Sequence, residues 1–243
     1  MPLLADLGDM IVPLSGAAVC GYLLGSLPFG YLVARSRGVD IFEVGSRSPG
    51  ATNVRRVLGR GPGNTVFVLD TLKGVLAAGL PLLSVLYFLR ENGPAPGATD
   101  TSLYASIQAA ARLSSLMGYI GLAFALLGHS FSCFTRFRGG KGVATAAGGL
   151  LVLMPYVALI SAAIWVSVFY ATRYVSLASI LAALTLPALA LAFGRGRIAL
   201  GVTVLVAAFV VVRHRANLRR LLNGTEKKFE RRKPDEPPAG AAP

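Results

Sequence analysis

The stretch HSFSCFTRFRGGKGVATAAGG, residues 129–149, sets Lys141 among Gly139, Gly140 and Gly142, just ahead of an apolar helix predicted to begin near Val143. Glycines let a backbone turn its N–H groups toward one point, and a helix N-terminus adds positive potential there, so the arrangement suits an anion. It is not a nucleotide-binding P-loop, because Gly142 rather than Ser or Thr follows Lys141 and the first glycine is wrongly spaced. Taken alone, the segment serves equally well as a basic flank where the chain re-enters a membrane.

Three other segments carry similar chemistry. In RHRANLRRLLNGTEKKF (213–229), His214 and Asn217 lie three residues apart and share a helix face with Leu218 and Leu221, which predicts that the face points inward. In GVDIFEVGSRSPGATNVRRVLGRG (38–61), Ser48–Pro49 is a helix start and Gly59 a stop, predicting a short helix over 49–58. Free N–H groups near Gly50–Thr52, with Arg55 and Arg56 in the next turn, make a second anion site or a helix lying on anionic headgroups. In TRYVSLAS (172–179), Arg173, Ser176 and Ser179 fall at a predicted helix turn. Asp70 and Lys73 in VLDTLKGVL are spaced to pair inside an apolar helix, either to orient that helix or for function. His129 reads as a structural, hydrogen-bonding histidine. Glycine, Ser, Thr, Asn, His and unpaired cations suit phosphate groups rather than a metal cage, so no metal and no cofactor are expected. Cys20 and Cys133 have no metal-type spacing, and neither a disulfide nor zinc is expected.

The elements that must hold these residues are apolar. The 243-residue chain is 54% hydrophobic and 14% charged, far from soluble composition, and near-membrane-length apolar runs recur from Met10 to Arg213. This predicts an all-α integral membrane protein with helices at roughly 10–34, 65–89, 113–128, 174–193 and 198–213. Between Val143 and Tyr170 a hairpin broken near Met154–Pro155 is expected, making about seven transmembrane helices. Of 24 Lys and Arg, 18 fall in 35–60, 129–142 and 213–233, and cytoplasmic loops are enriched in these residues. The first ten residues hold two Asp and no cation, unlike a signal peptide. The expected topology therefore has the N-terminus outside, the C-terminus cytoplasmic, and all four polar segments on one membrane face. Residues 90–102 read as an outside loop, 1–229 as one membrane domain, and 230–243 as a disordered basic, Pro-rich tail.

GSLPFGYLVAR (25–35), VGSRSPGATNVRRVLG (44–59), LDTLKG (69–74), GHSFSCFTRFRGGKGVAT (128–145), RYVSLAS (173–179) and HRANLRRLLNGTE (214–226) occur in order. Over about residues 21–229 the chain closely resembles the bacterial acyl-phosphate:glycerol-3-phosphate acyltransferase family. The resemblance implies a seven-helix enzyme of the bacterial cytoplasmic membrane. It would move a fatty acyl group from acyl phosphate to the 1-hydroxyl of glycerol 3-phosphate, forming lysophosphatidic acid and inorganic phosphate for phospholipid synthesis. It places active-site residues at Ser46, Thr52, Asn53, Arg56, Lys141, His214 and Asn217. Gly139, Gly140 and Gly142 are added as backbone donors, and Ser176 and Ser179 as substrate-binding hydroxyls. Ser46, Arg56, Lys141 and His214 are the catalytic candidates. Expected partners are acyl phosphate, glycerol 3-phosphate and the bilayer, with no nucleic acid; the sequence assigns no oligomeric state. The family usually reads Gly-Asn where this chain has Arg47 and Ser48, and Arg138 stands where lysine is common. The His-four residues-Asp pattern of acyl-CoA-type acyltransferases is absent, since Phe134 and Arg219 occupy that spacing from His129 and His214. A transporter for a phosphorylated metabolite would instead place its polar groups near the bilayer midplane, in paired halves. A scaffold protein would explain the basic loops but not the glycine loop with His214 and Asn217.

Overall fold

The computed structural model describes residues 3–91 and 100–229, and these are helical apart from turns and loops. The first apolar run divides into α1 (Leu3–Ser26) and α2 (Phe29–Arg35). The division falls at Leu27–Pro28, where proline lacks a donor and disfavours helix in the residue before it. The single helix expected over 10–34 is thus broken. α3 (Ala51–Leu58) follows Pro49–Gly50 and stops at Gly59, whose φ of 94° no longer continues a helix, in agreement with the expected short helix.

α4 (Arg60–Glu91) and α5 (Asp100–Ser130) are longer than hydropathy predicts. The alanine-rich stretch before Leu113 extends α5 because helix propensity there outweighs polarity. The expected outside loop over 90–102 shrinks accordingly: α4 runs through Glu91 and α5 begins at Asp100, while 92–99, like the tail over 230–243, lie outside the described residues.

A 3₁₀ turn (Cys133–Thr135) precedes α6 (Val143–Leu153) and α7 (Pro155–Thr172). The chain breaks between these two helices at Met154, where a break was expected, with Pro155 opening α7. α8 (Val175–Ala192) and α9 (Arg197–Arg213) follow, and α10 (Arg215–Leu222) leaves α9 at 61°. Among the described residues, five helices are long and apolar enough to cross a membrane, or six if α9 and α10 count as one span. α6, with 11 residues, rises only about 16 Å, half a hydrocarbon core.

Small residues draw the helices together. A Cβ at Gly21 would overlap the backbone of Gly121, and one at Gly25 that of Ala125, which sets α1 directly on α5. Gly74 against Thr145 and Gly148 against Thr71 do the same for α4 and α6. Such close approach is how helices associate where lipid is as apolar as the side chains. Leu122, Leu126, Leu150, Met154, Val206 and Val210 fill the space between α5, α6 and α9. Leu83, Tyr156, Leu191 and Leu205 are more than 60% exposed on the outer surface, which suits lipid contact. A smaller cluster of Ile41, Phe42, Val54, Val57 and Val66 seats α3 on the start of α4.

Candidate active site

The carboxyl ends of α5 and α9 meet at one end of the bundle, and the loop between α5 and α6 is built across them. Ser132 caps the 3₁₀ turn by accepting from the Phe134 N–H and donates to the Ser26 carbonyl at 2.5 Å. Arg136 and Phe137 take φ values of 52° and 59°, reversing the chain, and the Thr135 hydroxyl donates to the Arg138 carbonyl. The glycines then return beneath the end of α5. The Gly140 N–H donates to the His129 carbonyl at 3.0 Å, and the Ser130 hydroxyl donates to the Gly140 carbonyl at 3.0 Å. From α9, the Arg213 guanidinium donates to the Gly140 carbonyl at 2.8 Å and lies over the Phe131 ring.

These bonds correct one expectation. Gly140 is not a free phosphate donor, because its N–H is already spent on His129. Gly142 has φ of 80° and opens α6, where the first bond is from Ala146 N–H to the Gly142 carbonyl. The amides of Gly142, Val143 and Ala144 therefore have no backbone partner among the described residues, as at any helix start.

Lys141 projects from this loop and donates to the Asn217 side-chain oxygen at 2.6 Å. The Asn217 amide donates to Glu226 at 2.7 Å, Ser176 donates to the same carboxylate oxygen at 2.7 Å, and Arg220 donates to the other at 2.7 Å. Segments 141, 176, 217 and 226 are thus joined through one carboxylate. Burial lowers the Lys141 pKa to about 8; Glu226 opposes the shift, while Arg220, Arg213 and Arg56 add to it. Burial of Glu226 would raise its own pKa, but bonds from Asn217, Ser176 and Arg220 hold it lowered.

His214 sits at the bend beyond α9 and is 2% exposed. Burial first, and then the Lys141 charge, lower its pKa to about 4, so the ring is neutral at ordinary pH. Its Nδ1 lies 2.8 Å from the Val210 carbonyl. A neutral ring donating there keeps Nε2 as its accepting atom.

The first loop is built around Asn53. Its side-chain oxygen accepts from the Ser46 N–H at 2.8 Å, and its amide donates to the Val44 and Ser48 carbonyls at 3.2 and 2.9 Å. At 2% exposure, Asn53 shapes the loop rather than reaching toward a ligand. Ser46 and Arg56 are exposed and Thr52 half-buried. Contacts at both ends bring this loop to the others. Arg138 stacks on the Phe42 ring at 4.3 Å, and Arg55 lies 5.0 Å over the Phe229 ring, whose backbone N–H donates to the Arg173 carbonyl.

The four segments expected to share one face therefore do meet at one end. Ser179 stands apart from the lysine network, accepting from Trp165 Nε1 at 3.0 Å and donating to the Val175 carbonyl, and it ties α7 to α8. Glu226 and Arg213 were not among the candidates from sequence. Glu226 ends the HRANLRRLLNGTE motif, but a search for cations passes over a carboxylate. Among the described residues no three His, Cys, Asp or Glu cluster as a metal site.

Fold and site together define a polytopic, helical membrane protein with a cation-rich site at one end of its bundle, and the comparisons with known proteins agree. The chain belongs to the glycerol-3-phosphate acyltransferase family, whose model matches residues 15–224. Glycerol-3-phosphate acyltransferase of Geotalea daltonii is 41% identical over 210 residues, covering 86% of this chain and 94% of the relative. That of Fusobacterium nucleatum is 38% identical over 213 residues, covering 87% and 96%. The crystal structure of PlsY, an integral membrane glycerol 3-phosphate acyltransferase, in its glycerol 3-phosphate form matches with a TM-score of 0.71 at 35% identity, covering 89% of this chain and 96% of that one. Its lysophosphatidic acid form matches with a TM-score of 0.69, also at 35% identity, covering 89% and 95%.

Proposed function

We propose that the protein transfers a fatty acyl group from acyl phosphate to the 1-hydroxyl of glycerol 3-phosphate, releasing lysophosphatidic acid and inorganic phosphate. The observation that carries this reading is the half-buried Lys141 beside the unbonded amides of the α6 start, within the positive field of Arg56, Arg213 and Arg220. Both substrates are anionic, and acyl phosphate brings its own leaving group, so the site needs charge rather than a nucleophile of its own.

The glycerol hydroxyl attacks the acyl carbon directly. A new ester C–O bond forms, the bond from that carbon to the phosphate oxygen breaks, and inorganic phosphate departs. Lys141, Arg56 and the α6 amides stabilise charge on the departing group, an effect worth about 3 kcal/mol per well-placed donor. Ser46, Thr52, Asn217 and Ser176 orient phosphate or hydroxyl groups, and Asn53, Gly139 and Gly140 hold the two loops in shape. The hydroxyl proton goes to His214 Nε2 or to a phosphate oxygen of the donor. His214→Ala separates these routes: a fall in kcat of about 100-fold or more marks His214 as the base, and unchanged kcat assigns the proton to phosphate.

The acyl tail has a place beside this end. Leu184, Pro187, Val204, Ala207 and Val211 line an open apolar cleft of about 460 Å³ between α8 and α9, beginning one helical turn before His214. Keeping the chain there, out of water, favours binding by about 0.8 kcal/mol per CH₂. The full topology in this reading has seven crossings, counting α6 and α9, with the N-terminus outside. The basic site end and the C-terminus face the cytoplasm of a bacterial cell. The test is to incubate purified protein with glycerol 3-phosphate and either acyl phosphate or acyl-CoA. Lysophosphatidic acid is expected from acyl phosphate alone; product from acyl-CoA alone, or from neither, rejects the proposal.

A further inference from the structure

We infer that Asp70, Lys73 and His129 form a positioning unit that holds the Lys141 loop and the Ser46–Arg56 loop at a fixed separation. The inference rests on the reading of those two loops as the substrate site, and it assigns work to a buried cluster that the reaction itself does not use.

All three side chains are at least nine-tenths buried. The Lys73 ammonium lies 3.0 Å from Asp70 Oδ1 and donates to the Leu27 carbonyl at 3.1 Å. Leu27 is the break between α1 and α2, and the same ammonium lies 5.7 Å from the ring of Phe29, the first residue of α2. Lys73 therefore fixes where α2 begins. One residue further on, Gly30 packs directly against the Pro49 carbonyl, so that a Cβ would overlap it. α2 thus passes the constraint to the start of α3, and from there to Arg56.

In the other direction, Asp70 Oδ1 lies 3.6 Å from His129 Nδ1, a close polar contact just beyond hydrogen-bond distance. The His129 ring packs on Gly140, where a Cβ would overlap Nε2, and the His129 carbonyl accepts the Gly140 N–H. The pocket lined in part by Ser26, Asp70, Lys73, His129, Gly139 and Gly140 has room for only about 10 Å³, so the cluster and the glycine loop pack closely. A pair whose only task was to orient α4 would need no partner beyond itself. Here Lys73 also reaches the α1–α2 break, and Asp70 also reaches His129, which packs on the glycine loop.

The test uses the full chain purified in detergent. Asp70→Leu combined with Lys73→Met removes both charges at similar volume and strands neither. The expected result is a melting temperature close to wild type with kcat/KM for glycerol 3-phosphate down roughly 10–100-fold, the loss that follows a displacement of about 1 Å. His129→Asn keeps a donor at the Nδ1 position and is expected to be several-fold more active than His129→Leu, although leucine fills the site better. Thermal stabilisation by inorganic phosphate is expected to weaken in the same order, a readout that needs no turnover. Wild-type kcat/KM in the double variant, or His129→Leu as active and as well stabilised by phosphate as His129→Asn, overturns the inference. If the double variant does not fold, the two His129 variants decide. Wild type without turnover on either donor defeats the functional reading instead, and the phosphate series still judges the positioning role.

Discussion

Two polar networks touch the same glycine loop. Lys141, Asn217, Glu226 and Ser176 form the outer one, and Asp70, Lys73 and His129 the inner one. The inner network balances one carboxylate with one ammonium, as a low-dielectric interior demands. The outer one sets a single carboxylate, Glu226, against Lys141, Arg56, Arg213 and Arg220. Excess positive charge held partly buried is costly unless an anion arrives. In the proposed reading, that imbalance suits the outer network to receive an anionic ligand, and the balance suits the inner one to support it.

The sharpest way to break this contrast is to unbalance the inner network. Asp70→Asn strands a buried ammonium and is expected to cost about 4 kcal/mol of stability, seen as a large drop in melting temperature; an unchanged melt would show that the pair carries no such load. Lys141→Ala acts on the other side. It should lower kcat/KM about 100- to 1,000-fold while the melting temperature holds or rises, and a comparable loss of stability would erase the distinction.

Titration gives a smaller effect. The Lys141 ammonium is charged below its pKa of about 8 and neutral above it, so kcat/KM should fall as pH rises through that value. Since Glu226 raises this pKa, Glu226→Gln should move the fall to lower pH, and Lys141→Arg should push it upward beyond the range. A profile that does not shift in Glu226→Gln would separate the carboxylate from the lysine. The smallest effect is expected at Arg47, which holds φ of 53° where the resembling family carries glycine. Arg47→Gly should stabilise the loop by about 1 kcal/mol, read as a slightly higher melting temperature with little change in turnover.

Much of this architecture was legible from local pattern. The short helix before Gly59, the break at Met154–Pro155 and the burial of His214 and Asn217 each follow from a few neighbouring residues, although Leu218, expected on the same inward face, is exposed. The break at Leu27–Pro28 was missed because hydropathy averages over a proline that hydrogen bonding cannot ignore. The extent of α5 was missed because alanines before Leu113 favour helix without being strongly apolar. Asn53 was assigned to the active site on the family resemblance, and Gly140 as a backbone donor on its place in the glycine loop. Their hydrogen bonds to Val44, Ser46, Ser48 and His129 turn them to loop construction instead.

By itself the sequence determined a polytopic helical protein with its cations gathered in a few loops, because burial in lipid imposes composition and periodicity residue by residue. It also singled out Lys141, since glycines and a helix start are local facts. Only the tertiary structure decided that Lys141 would meet Asn217, 76 residues on, and that Glu226 would join Ser176, 50 residues back. A hydrogen bond across such separations depends on how closely the helices approach. That approach is set where Gly21 meets Gly121 and Gly74 meets Thr145, and no spacing along the chain records it.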